Sequence, residues 1–510
     1  MFAGGGILLG FFSCSDLNDI ESRLEKLERN DDTPKVLSMS FKASQNPYQL
    51  INDVECEVIG DSVIECWVRN IMPNKELIPH IEYIGDKIYV ENSPIISDKS
   101  QVDFKTPVTL TVRSEKMAKE YMVYVYSFTG LPVMWIETEG RKQISSKDEY
   151  MRASFKLVED IQARGAGDIF VDSVNIKGRG NTTWGMPKKP YRLKFDKKTS
   201  LLGEAKDKSW VLLANYADNT ALRNHIAFYM GSISNLEYTP KSHFVELMLN
   251  NRYNGTYQLV ENLKISKDRV NVGDDGFLME IDFRAPGEDD ARYFRVENLY
   301  QPVNIKDPDV EYNDNDYNYA KNFVTIADSI LFSSNFTDVN EGWQKYMDIN
   351  SFVDWYLINE IARNNDAILY SSCYMNLKRG GKLKMGPLWD FDLAFGNYPD
   401  NDNYKVEGFW LYKEWTTWYY RLFQDPVFVQ KVKERFNYFY DHRDDIMNEI
   451  NNSAHYLRYS IEENENKWNT FYRYTFSNTN IWGCYQNEVQ LLKTWLNSRF
   501  EWLKVEYDKM

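Results

Sequence analysis

The sequence predicts an α+β fold in which a β-sandwich precedes a larger domain with two lobes. The length of 510 residues favours two or three domains over one. Residues 35–130 contain short runs rich in β-branched and aromatic residues, separated by turn signals. Residues 131–510 begin with strand-like runs and change to helical patterns after about residue 320. Strands followed by helices, without regular alternation, are typical of α+β domains.

The net charge of −15 argues against binding to nucleic acid and against docking on anionic lipid through a basic patch. A protein that binds nucleic acid presents a basic face, and docking on anionic lipid through charge requires clustered Lys and Arg. We therefore expect no nucleic-acid partner. The five cysteines form no CxxC pair and no Cys/His cluster, so a zinc site is not predicted.

Residues 1–13 are interpreted as a lipoprotein signal. The run "MFAGGGILLGFFSC" is apolar and too short to span a bilayer as a helix. It is typical of the end of a bacterial lipoprotein signal, with Cys14 as the lipidated first residue of the mature chain and as its anchor in the membrane. Two features depart from that pattern, because no basic residue precedes the run and Phe11 stands where Leu is usual. The alternative interpretation is a frayed apolar tail.

Residues 14–34 are predicted to form a polar spacer. Four apolar residues follow the 3-4-3 spacing of a heptad seam, namely Leu17, Ile20, Leu24 and Leu27. Because two heptads are marginally stable alone, we expect a spacer helix or a weak coiled coil that ends before Pro34.

Residues 35–130 are predicted to form an immunoglobulin-like β-sandwich. The strand candidates are "KVLSMSFKA", "DVECEVIG", "SVIECWV", "PVTLTVRS" and "EYMVYVYSF". Cys56 and Cys66 flank a hairpin centred on Gly60-Asp61, and both a cross-strand disulfide and a pair of free thiols fit this arrangement. The region contains no cluster of acids and bases, which indicates a spacer or adhesion module.

Residues 131–510 contain strand candidates first and helices afterwards. The strand candidates are "SVNIKGRG", "PYRLKF", "WVLLAN", "FVELMLN", "GTYQLVE" and "GFLMEID". Asn254-Gly255 is a strong hairpin-turn signal. The run "FVDWYLINEIARNND" and the final helix each carry an apolar stripe, and the final stripe passes through Leu492, Leu496, Arg499 and Leu503 at helical spacing.

Positive charge surrounds a glycine-containing turn in "NIKGRGNTTWGMPKKPYRLKF". Glycines allow the backbone to turn tightly and to approach a ligand closely. Five bases lie around the turn, namely Arg179, Lys188, Lys189, Arg192 and Lys194, and such an excess in an acidic chain suits anionic oxygens. The alternative is a tight hairpin with a solvated basic face, because a GxG pattern alone is weak evidence.

Glu261 and Asn262 follow a predicted strand. The end of such a strand offers hydrogen-bonding groups for a ligand ring. An ordinary exposed carboxylate fits Glu261 equally well.

Two carboxylates, Asp390 and Asp392, stand within the apolar run "PLWDFDLAFGN". A strand would place residues i and i+2 on one face, where two carboxylates repel each other and lose solvation. A hard divalent cation such as Mg²⁺ would compensate this cost, since it prefers oxygen ligands. The alternative is a pair of acids that cap a helix or bind Arg. A further acid, Asp366, is predicted to end the preceding helix.

The region 131–510 resembles the spore coat protein H (CotH) kinase family. Seven runs carry the resemblance in the expected order, namely "KGRGNTTWGMPKKPYRLKF", "SWVLLANYADNTALRNHIAFYM", "YNGTYQLVENL", "GFLMEID", "NEIARNND", "GPLWDFDLAFG" and "WLNSRFEWL". The signal, heptad and sandwich look like the N-terminal segments common in Bacteroidetes surface proteins. This resemblance implies a location in the cell envelope, at the outer membrane or surface of a Gram-negative bacterium.

The resemblance implies a kinase-like fold and an atypical protein kinase that phosphorylates Ser or Thr of a protein substrate with ATP and Mg²⁺ or Mn²⁺. It implies that Asp390 and Asp392 bind metal and that Asp366 is the catalytic acid of the "NND" loop. It also implies that Arg179 and Lys194 face the phosphates of ATP and that Glu261 lies on the adenine side.

The chain departs from the fuller kinase pattern in the loop that follows Asp366. Ala367 stands where His is frequent, and Ser371 or Ser372 stands near the position of an Asn. One metal ligand is therefore absent or replaced by a hydroxyl. Some members of the family are adhesins, so a catalytically weak or inactive binding protein is the alternative function. A metal-dependent hydrolase built on "DFD" would normally also require His ligands, and none lies beside that motif.

Overall fold

The computed structural model describes residues 33–159, 169–400, 402–476 and 481–510. The predicted signal, the lipidation site at Cys14 and the heptad segment therefore lie outside the described residues. Within the described ranges, no helix is both long enough and apolar enough to cross a membrane. Contacts divide the chain into two units, with the division between Phe128 and Thr129.

In the described part of the first unit, residues 33–128, strands dominate and form three sheets. One sheet has the order β2-β1-β6, a second has the order β3-β4-β11-β10-β7-β8, and β5 pairs with β9. The strands are β1 (Lys35–Phe41), β2 (Val54–Glu55), β3 (Glu57–Ile59), β4 (Val63–Val68), β5 (Glu76–Leu77), β6 (His80–Ile84), β7 (Lys87–Val90), β8 (Ser93–Ile95), β9 (Val102–Asp103), β10 (Val108–Arg113) and β11 (Ala118–Ser127).

The first two sheets of this unit share one apolar core. Met39 and Phe41 of β1 pack in the same cluster as Ile64 of β4 and Val123 of β11. The hairpin predicted around Gly60-Asp61 is confirmed, since β3 and β4 pair in antiparallel register on either side of it. A disulfide joins Cys56 to Cys66 across this hairpin.

The second unit begins with a closed seven-stranded barrel of order β12-β13-β14-β15-β16-β18-β17. Alternate residues of its strands fill the interior, as Tyr191, Leu193 and Phe195 do in β15. The strands are β12 (Val133–Thr138), β13 (Met151–Val158), β14 (Ile169–Gly178), β15 (Tyr191–Thr199), β16 (Asp207–Leu213), β17 (Ser242–Leu249) and β18 (Arg252–Glu261).

A five-stranded sheet of order β20-β21-β19-β22-β23 and seven α-helices form the rest of the described second unit. The strands are β19 (Phe277–Ile281), β20 (Tyr293–Phe294), β21 (Val303–Asp307), β22 (Cys373–Leu377) and β23 (Leu383–Met385). The helices are α1 (Arg223–Ser232), α2 (Asn315–Leu331), α3 (Ile349–Ala362), α4 (Thr417–Leu422), α5 (Pro426–Asp441), α6 (Arg443–Trp468) and α7 (Tyr485–Lys509).

Helix α3 lies at the centre of the largest apolar core, because every residue from Ser351 to Ala362 is buried. The predicted stripe of α7 packs into the same core, and its Leu492, Leu496 and Leu503 are buried. The chain is therefore a mixed α+β protein whose first unit consists mainly of strands.

The prediction of a hairpin turn at Asn254-Gly255 was wrong. The chain turns instead at Asn250–Asn251, where both residues have left-handed backbone angles that Asn tolerates well. Asn254-Gly255 lies inside β18, at a shift in register against β17. Gly255 is needed there for packing, because an added Cβ would lie 2.5 Å from the side-chain oxygen of Asn464 in α6. The Asn-Gly pair therefore forms a bulge that lets a helix approach the barrel.

Candidate active site

A cavity of about 700 Å³ in the second unit brings together residues from distant parts of the sequence. The barrel contributes the end of β14, part of β15 and the residues after β18, and the five-stranded sheet contributes side chains of β19, β21 and β22. The charged residues of the lining are Lys147, Asp148, Lys177, Arg179, Arg192, Glu280, Asp282, Arg284, Glu288, Asp289, Asp290, Lys306, Asp366, Asp390 and Asp392.

Asp390 and Asp392 line this cavity, although they do not lie on a strand. The predicted strand geometry was wrong, because β23 ends at Met385 and Pro387 offers no backbone N–H to extend the ladder. Asp390 has a left-handed φ of 64°, and Phe391 between the acids is buried. A loop therefore presents both carboxylates to the same space.

Buried amide side chains hold the backbone of this loop on both sides. The side-chain oxygen of Asn224 accepts a hydrogen bond from the backbone N–H of Phe391 at 2.8 Å. The side chain of Asn397 donates to the backbone carbonyl of Asp392, also at 2.8 Å. Both Asn side chains lie in buried surroundings, so the two acids are carried on a backbone with little freedom.

Arg223 in the first turn of α1 also holds the acidic loop. Its Nε donates to the carbonyl of Ala394 at 3.1 Å, and its guanidinium forms a buried ion pair with Asp218. Asp218 accepts further hydrogen bonds from the backbone N–H groups of Thr220 and Arg223. The run "NYADNTALRNH" thus supports the acidic loop, a role that the sequence analysis did not predict.

Burial and neighbouring acids raise the pKa of two acids in the cavity, Asp366 and Asp392. Burial raises the pKa of Asp366 to about 6, and the charge of Asp390 adds to the effect. Burial raises the pKa of Asp392 well above its usual range, and the charges of Asp390 and Asp366 raise it further. Carboxylates that repel each other in a cavity favour the binding of a cation.

Asp366 lies beyond the helix that it was predicted to end. Helix α3 stops at Ala362, where Arg363 adopts a left-handed conformation, and Asp366 follows in a turn. Its Oδ1 accepts a hydrogen bond from the side chain of Asn365 at 3.3 Å. The turn brings Asp366 into the lining of the same cavity as the acidic loop.

Arg179 is the predicted base that the structure places beside the acids. Its guanidinium lies over the ring of Trp389, 5.4 Å from the ring centre, and the charges of Asp390 and Asp392 act on it. The preceding Gly178 packs against Trp184, and a Cβ there would lie 2.3 Å from the Trp184 ring. The glycine therefore allows the close packing that sets the position of the turn.

Lys194 does not line the cavity. It is exposed on β15, with its ammonium group 5.8 Å from the ring centre of Tyr150. Arg192, two residues earlier on the same face of the strand, does line the cavity, as does its cross-strand partner Lys177. The positive wall of the cavity is thus formed by neighbours of Lys194.

The side chain of Glu261 is also absent from the cavity lining. It is buried at the end of β18, where it accepts hydrogen bonds from the hydroxyl of Tyr238 and the backbone N–H of Lys241, each at 3.0 Å. Arg269 lies 3.6 Å from its other oxygen. The residues that follow, Asn262 and Leu263, line the cavity in its place.

Two further acids line the cavity and were not predicted as site residues, one in β19 and one directly after it. Glu280 and Asp282 both line the cavity and are almost fully buried. Burial raises the pKa of Glu280 to about 7, although Lys306, at 3.4 Å, opposes the shift. The sequence "GFLMEID" could have indicated a site here, because its apolar residues predict a buried strand and charged residues are rarely buried without a partner.

The donors in the cavity suit a hard divalent cation, because they are carboxylate oxygens. Within the described residues, no three Asp, Glu, His or Cys side chains are grouped closely enough to hold a metal ion by themselves. Mg²⁺ is commonly bound through one or two carboxylates together with phosphate oxygens and water. The residues therefore fit a cation that enters with a phosphorylated ligand.

A family model described as CotH kinase protein matches residues 176–503. A solved structure from Bacteroides thetaiotaomicron, described as a candidate glycoside hydrolase, is 12% identical and has a TM-score of 0.17. The match covers 53% of this chain and 65% of that chain, so this chain spans about two thirds of its length. A TM-score this low supports no conclusion about fold or activity. No match was found among curated proteins.

Proposed function

Because this chain belongs to the CotH kinase protein family, we propose that it is an atypical protein kinase of the cell envelope. The proposed reaction transfers phosphate from ATP to Ser or Thr of a protein substrate in the presence of Mg²⁺ or Mn²⁺. The observation that carries this proposal is the cavity in which Arg179 faces Asp390 and Asp392. Phosphoryl transfer requires that combination of a cation for phosphate and acids for metal.

We further propose a two-lobed, kinase-like arrangement in which the barrel forms one lobe and the helices with the five-stranded sheet form the other. ATP would lie in the cavity, to which both sets of elements contribute. The first unit is proposed to be an immunoglobulin-like spacer, since its two main sheets share one core.

Six charged residues of the cavity have a proposed task, namely Arg179, Lys177, Arg192, Asp366, Asp390 and Asp392. Arg179, with Lys177 and Arg192, would bind the phosphates and stabilise the charge that develops during transfer. Asp390 and Asp392 would hold Mg²⁺, which supplies charge neutralisation at the phosphates when it is bound. Lys194 has no proposed contact with ATP, because it does not line the cavity.

Asp366 is proposed to orient the acceptor hydroxyl and to receive its proton. Its pKa of about 6 leaves the carboxylate mainly ionised at neutral pH, so it can accept a hydrogen bond from a hydroxyl. A pKa near the working pH also suits proton transfer better than the usual value of Asp.

We propose that the mature chain begins at lipidated Cys14 and is anchored in the outer membrane or at the cell surface. The support is the apolar run that ends at Ser13-Cys14. Mass spectrometry of the mature N-terminus from the membrane fraction tests this. A lipid-modified Cys14 is expected, and an unprocessed Met1 would contradict the proposal.

A catalytically inactive binding protein is the second candidate function. The observation that favours it is the loop after Asp366, where Ala367 is buried and the hydroxyl of Ser371 is engaged by Asp282 and Arg284. Neither residue supplies the polar groups of the fuller kinase pattern.

Calorimetry and a transfer assay together separate the two functions. Titration with ATP and Mg²⁺ should show binding that EDTA abolishes, and incubation with γ-labelled ATP and a mixed protein acceptor should transfer label. Binding without transfer would favour the inactive binding protein. Absence of both would reject the kinase.

A further inference from the structure

Two consecutive serines hold two carboxylates that line the same cavity. The hydroxyl of Ser371 donates to Asp282 Oδ1 at 3.0 Å, and the hydroxyl of Ser372 donates to Asp390 Oδ2 at 3.3 Å. Asp282 directly follows β19, whose last residue Ile281 pairs with Cys373 of β22. The sheet register therefore brings Asp282 next to the serine pair.

One oxygen of Asp282 is held by the protein and the other is not. Oδ1 accepts from Ser371 and from the backbone N–H of Arg284 at 3.1 Å, and the Arg284 guanidinium lies 3.6 Å from it. Oδ2 accepts no hydrogen bond from any described residue. Asp282 is only 4% exposed and lines the cavity, and the Arg284 guanidinium offsets part of its charge. The unbonded Oδ2 can therefore accept a ligand from the cavity without breaking a contact within the described protein.

Asp390 shows the same arrangement. Ser372 holds its Oδ2, and its Oδ1 accepts no hydrogen bond within the described part of the chain. Carboxylates that ligate metals are themselves commonly hydrogen-bonded by an outer partner, which fixes the orientation of the ligating oxygen. The two acids thus share the geometry expected of metal ligands, although only Asp390 was predicted to be one.

We propose that Asp282 is an acidic ligand for a second divalent cation, held in place by Ser371 and Arg284. The inference rests on the kinase function proposed above. In protein kinases a second Mg²⁺ is held by a side-chain amide of the catalytic loop. Here the hydroxyl of Ser371 points to Asp282, so the carboxylate supplies the oxygen ligand and the serine becomes its positioning residue.

The cation would bind only together with the nucleotide. No preformed group of three acidic, His or Cys ligands exists among the described residues, so phosphate oxygens and water complete the coordination. This requirement distinguishes the proposed site from a resident metal site, which would bind cation in the absence of nucleotide.

The test counts bound Mn²⁺ by electron paramagnetic resonance in the full chain, with a saturating non-hydrolysable ATP analogue. The wild type should bind about two Mn²⁺ ions per chain with the analogue and none without it. Asp282→Asn should bind about one ion and still bind the analogue. Ser371→Ala should keep both sites, with the weaker one reduced about tenfold in affinity.

Asp289→Asn is the matched control, because Asp289 lines the same cavity from an exposed position and loses the same charge. It should bind Mn²⁺ as the wild type does. An unchanged count in Asp282→Asn, or a wild type that binds the analogue with a single Mn²⁺, would overturn the inference and leave the kinase proposal intact. A wild type that binds neither analogue nor Mn²⁺ would overturn both. If Asp282→Asn fails to fold by circular dichroism, an unchanged affinity in Ser371→Ala overturns the inference instead.

Discussion

Two charged clusters in the second unit use the same residue types in opposite ways. The first is the buried pair of Glu360 and Arg499, in which both side chains have zero exposure. The carboxylate also accepts hydrogen bonds from the backbone N–H groups of Trp410 and Leu411, at 2.6 and 2.7 Å. Arg499 donates in addition to the carbonyl of Gly408 at 2.8 Å. This cluster satisfies its own charges and joins α3 to α7.

The second cluster is the set of acids in the cavity, where the charges are not balanced locally. Burial and the charge of Asp390 raise the pKa of Asp366 and of Asp392, and Arg179 is the base placed beside these acids. A balanced cluster contributes to folding, whereas an unbalanced one reduces stability until a ligand binds. The difference indicates which cluster has a structural role and which has a binding role.

The largest expected effect is on the balanced cluster. Arg499→Met should lower the free energy of unfolding by about 3–5 kcal/mol, because it leaves the Glu360 charge buried without its partner. Chemical denaturation measures this change. Arg443→Met is the control, since Arg443 pairs with the exposed Glu501 and its loss should cost about 1 kcal/mol or less. Equal effects of both substitutions would remove the distinction between the clusters.

In the cavity the expected effect is on binding instead of folding. Asp392→Ala should weaken the affinity for Mg-ATP about a hundredfold or more, which is roughly 3 kcal/mol. The free energy of unfolding of the ligand-free protein should stay within about 1 kcal/mol of the wild type, because the substitution also removes repulsion. Calorimetry and denaturation on the same samples test both parts. Unchanged affinity for Mg-ATP would show that this acid is not a metal ligand.

The two predicted bases offer a sharper contrast within one hairpin. Arg179→Met should cost about 1.5–3 kcal/mol of binding, or ten- to a hundredfold in affinity for Mg-ATP. Lys194→Met should change the affinity by no more than about 0.5 kcal/mol, because Lys194 is exposed outside the cavity. Calorimetry measures both, with circular dichroism as the check on folding. A larger loss in Lys194→Met than in Arg179→Met would reverse the assignment.

These contrasts show which features of the fold and of the cavity could be predicted from the sequence. Apolar periodicity predicted strands first and helices afterwards, and it placed Arg499 in the apolar stripe of α7, where the structure shows it buried. Arg179 and Lys194 were predicted to face the same phosphates, and both lie in one basic run. The sequence does not show where β15 leaves the cavity, since that depends on the path of the strand around the closed barrel.

The acids of the cavity show the same limit of sequence-based prediction. Asp390 and Asp392 were assigned to one strand face, yet a loop held by Asn224 and Asn397 carries them. Contacts between residues far apart in sequence fix that loop, and one sequence does not display them. Glu280 and Asp282 were not predicted, because a buried strand accounts for the apolar residues of "GFLMEID" and assigns no role to its two acids.

The pH dependence of the free energy of unfolding also reports on the unbalanced charges in the cavity. We expect a change of about 2 kcal/mol between about pH 4 and pH 6. The pKa of Asp366 is about 6 in the folded chain, above the usual value of 3.8. Between those values the folded state keeps a proton that the unfolded state has released, so the free energy of unfolding falls as pH rises from about 4 to 6. In Asp366→Asn this fall should be smaller than in the wild type. Identical pH profiles by chemical denaturation would contradict the raised pKa.

The smallest expected effect concerns the boundary of the second unit, to which both clusters belong. A chain that begins at Thr129 should bind Mg-ATP within about 0.5 kcal/mol of the full chain, because none of the described residues 33–128 lines the cavity. A chain that begins at Leu131 should bind equally well but be less stable by about 1 kcal/mol. The reason is that the Thr129 hydroxyl donates to the buried carboxylate of Glu246 at 2.8 Å.

Comparison of the two truncated chains tests the contribution of Thr129, including this hydrogen bond. Burial already raises the pKa of Glu246 to about 7, so the loss of a donor should raise that pKa further. The stability difference between the two chains should therefore be largest above pH 7, where the carboxylate is ionised, and should shrink towards pH 5, where it is protonated. Denaturation at both pH values measures it. A weaker affinity for Mg-ATP in the chain that begins at Thr129 would show that the first unit contributes to binding, and the separation of the two units would then fail.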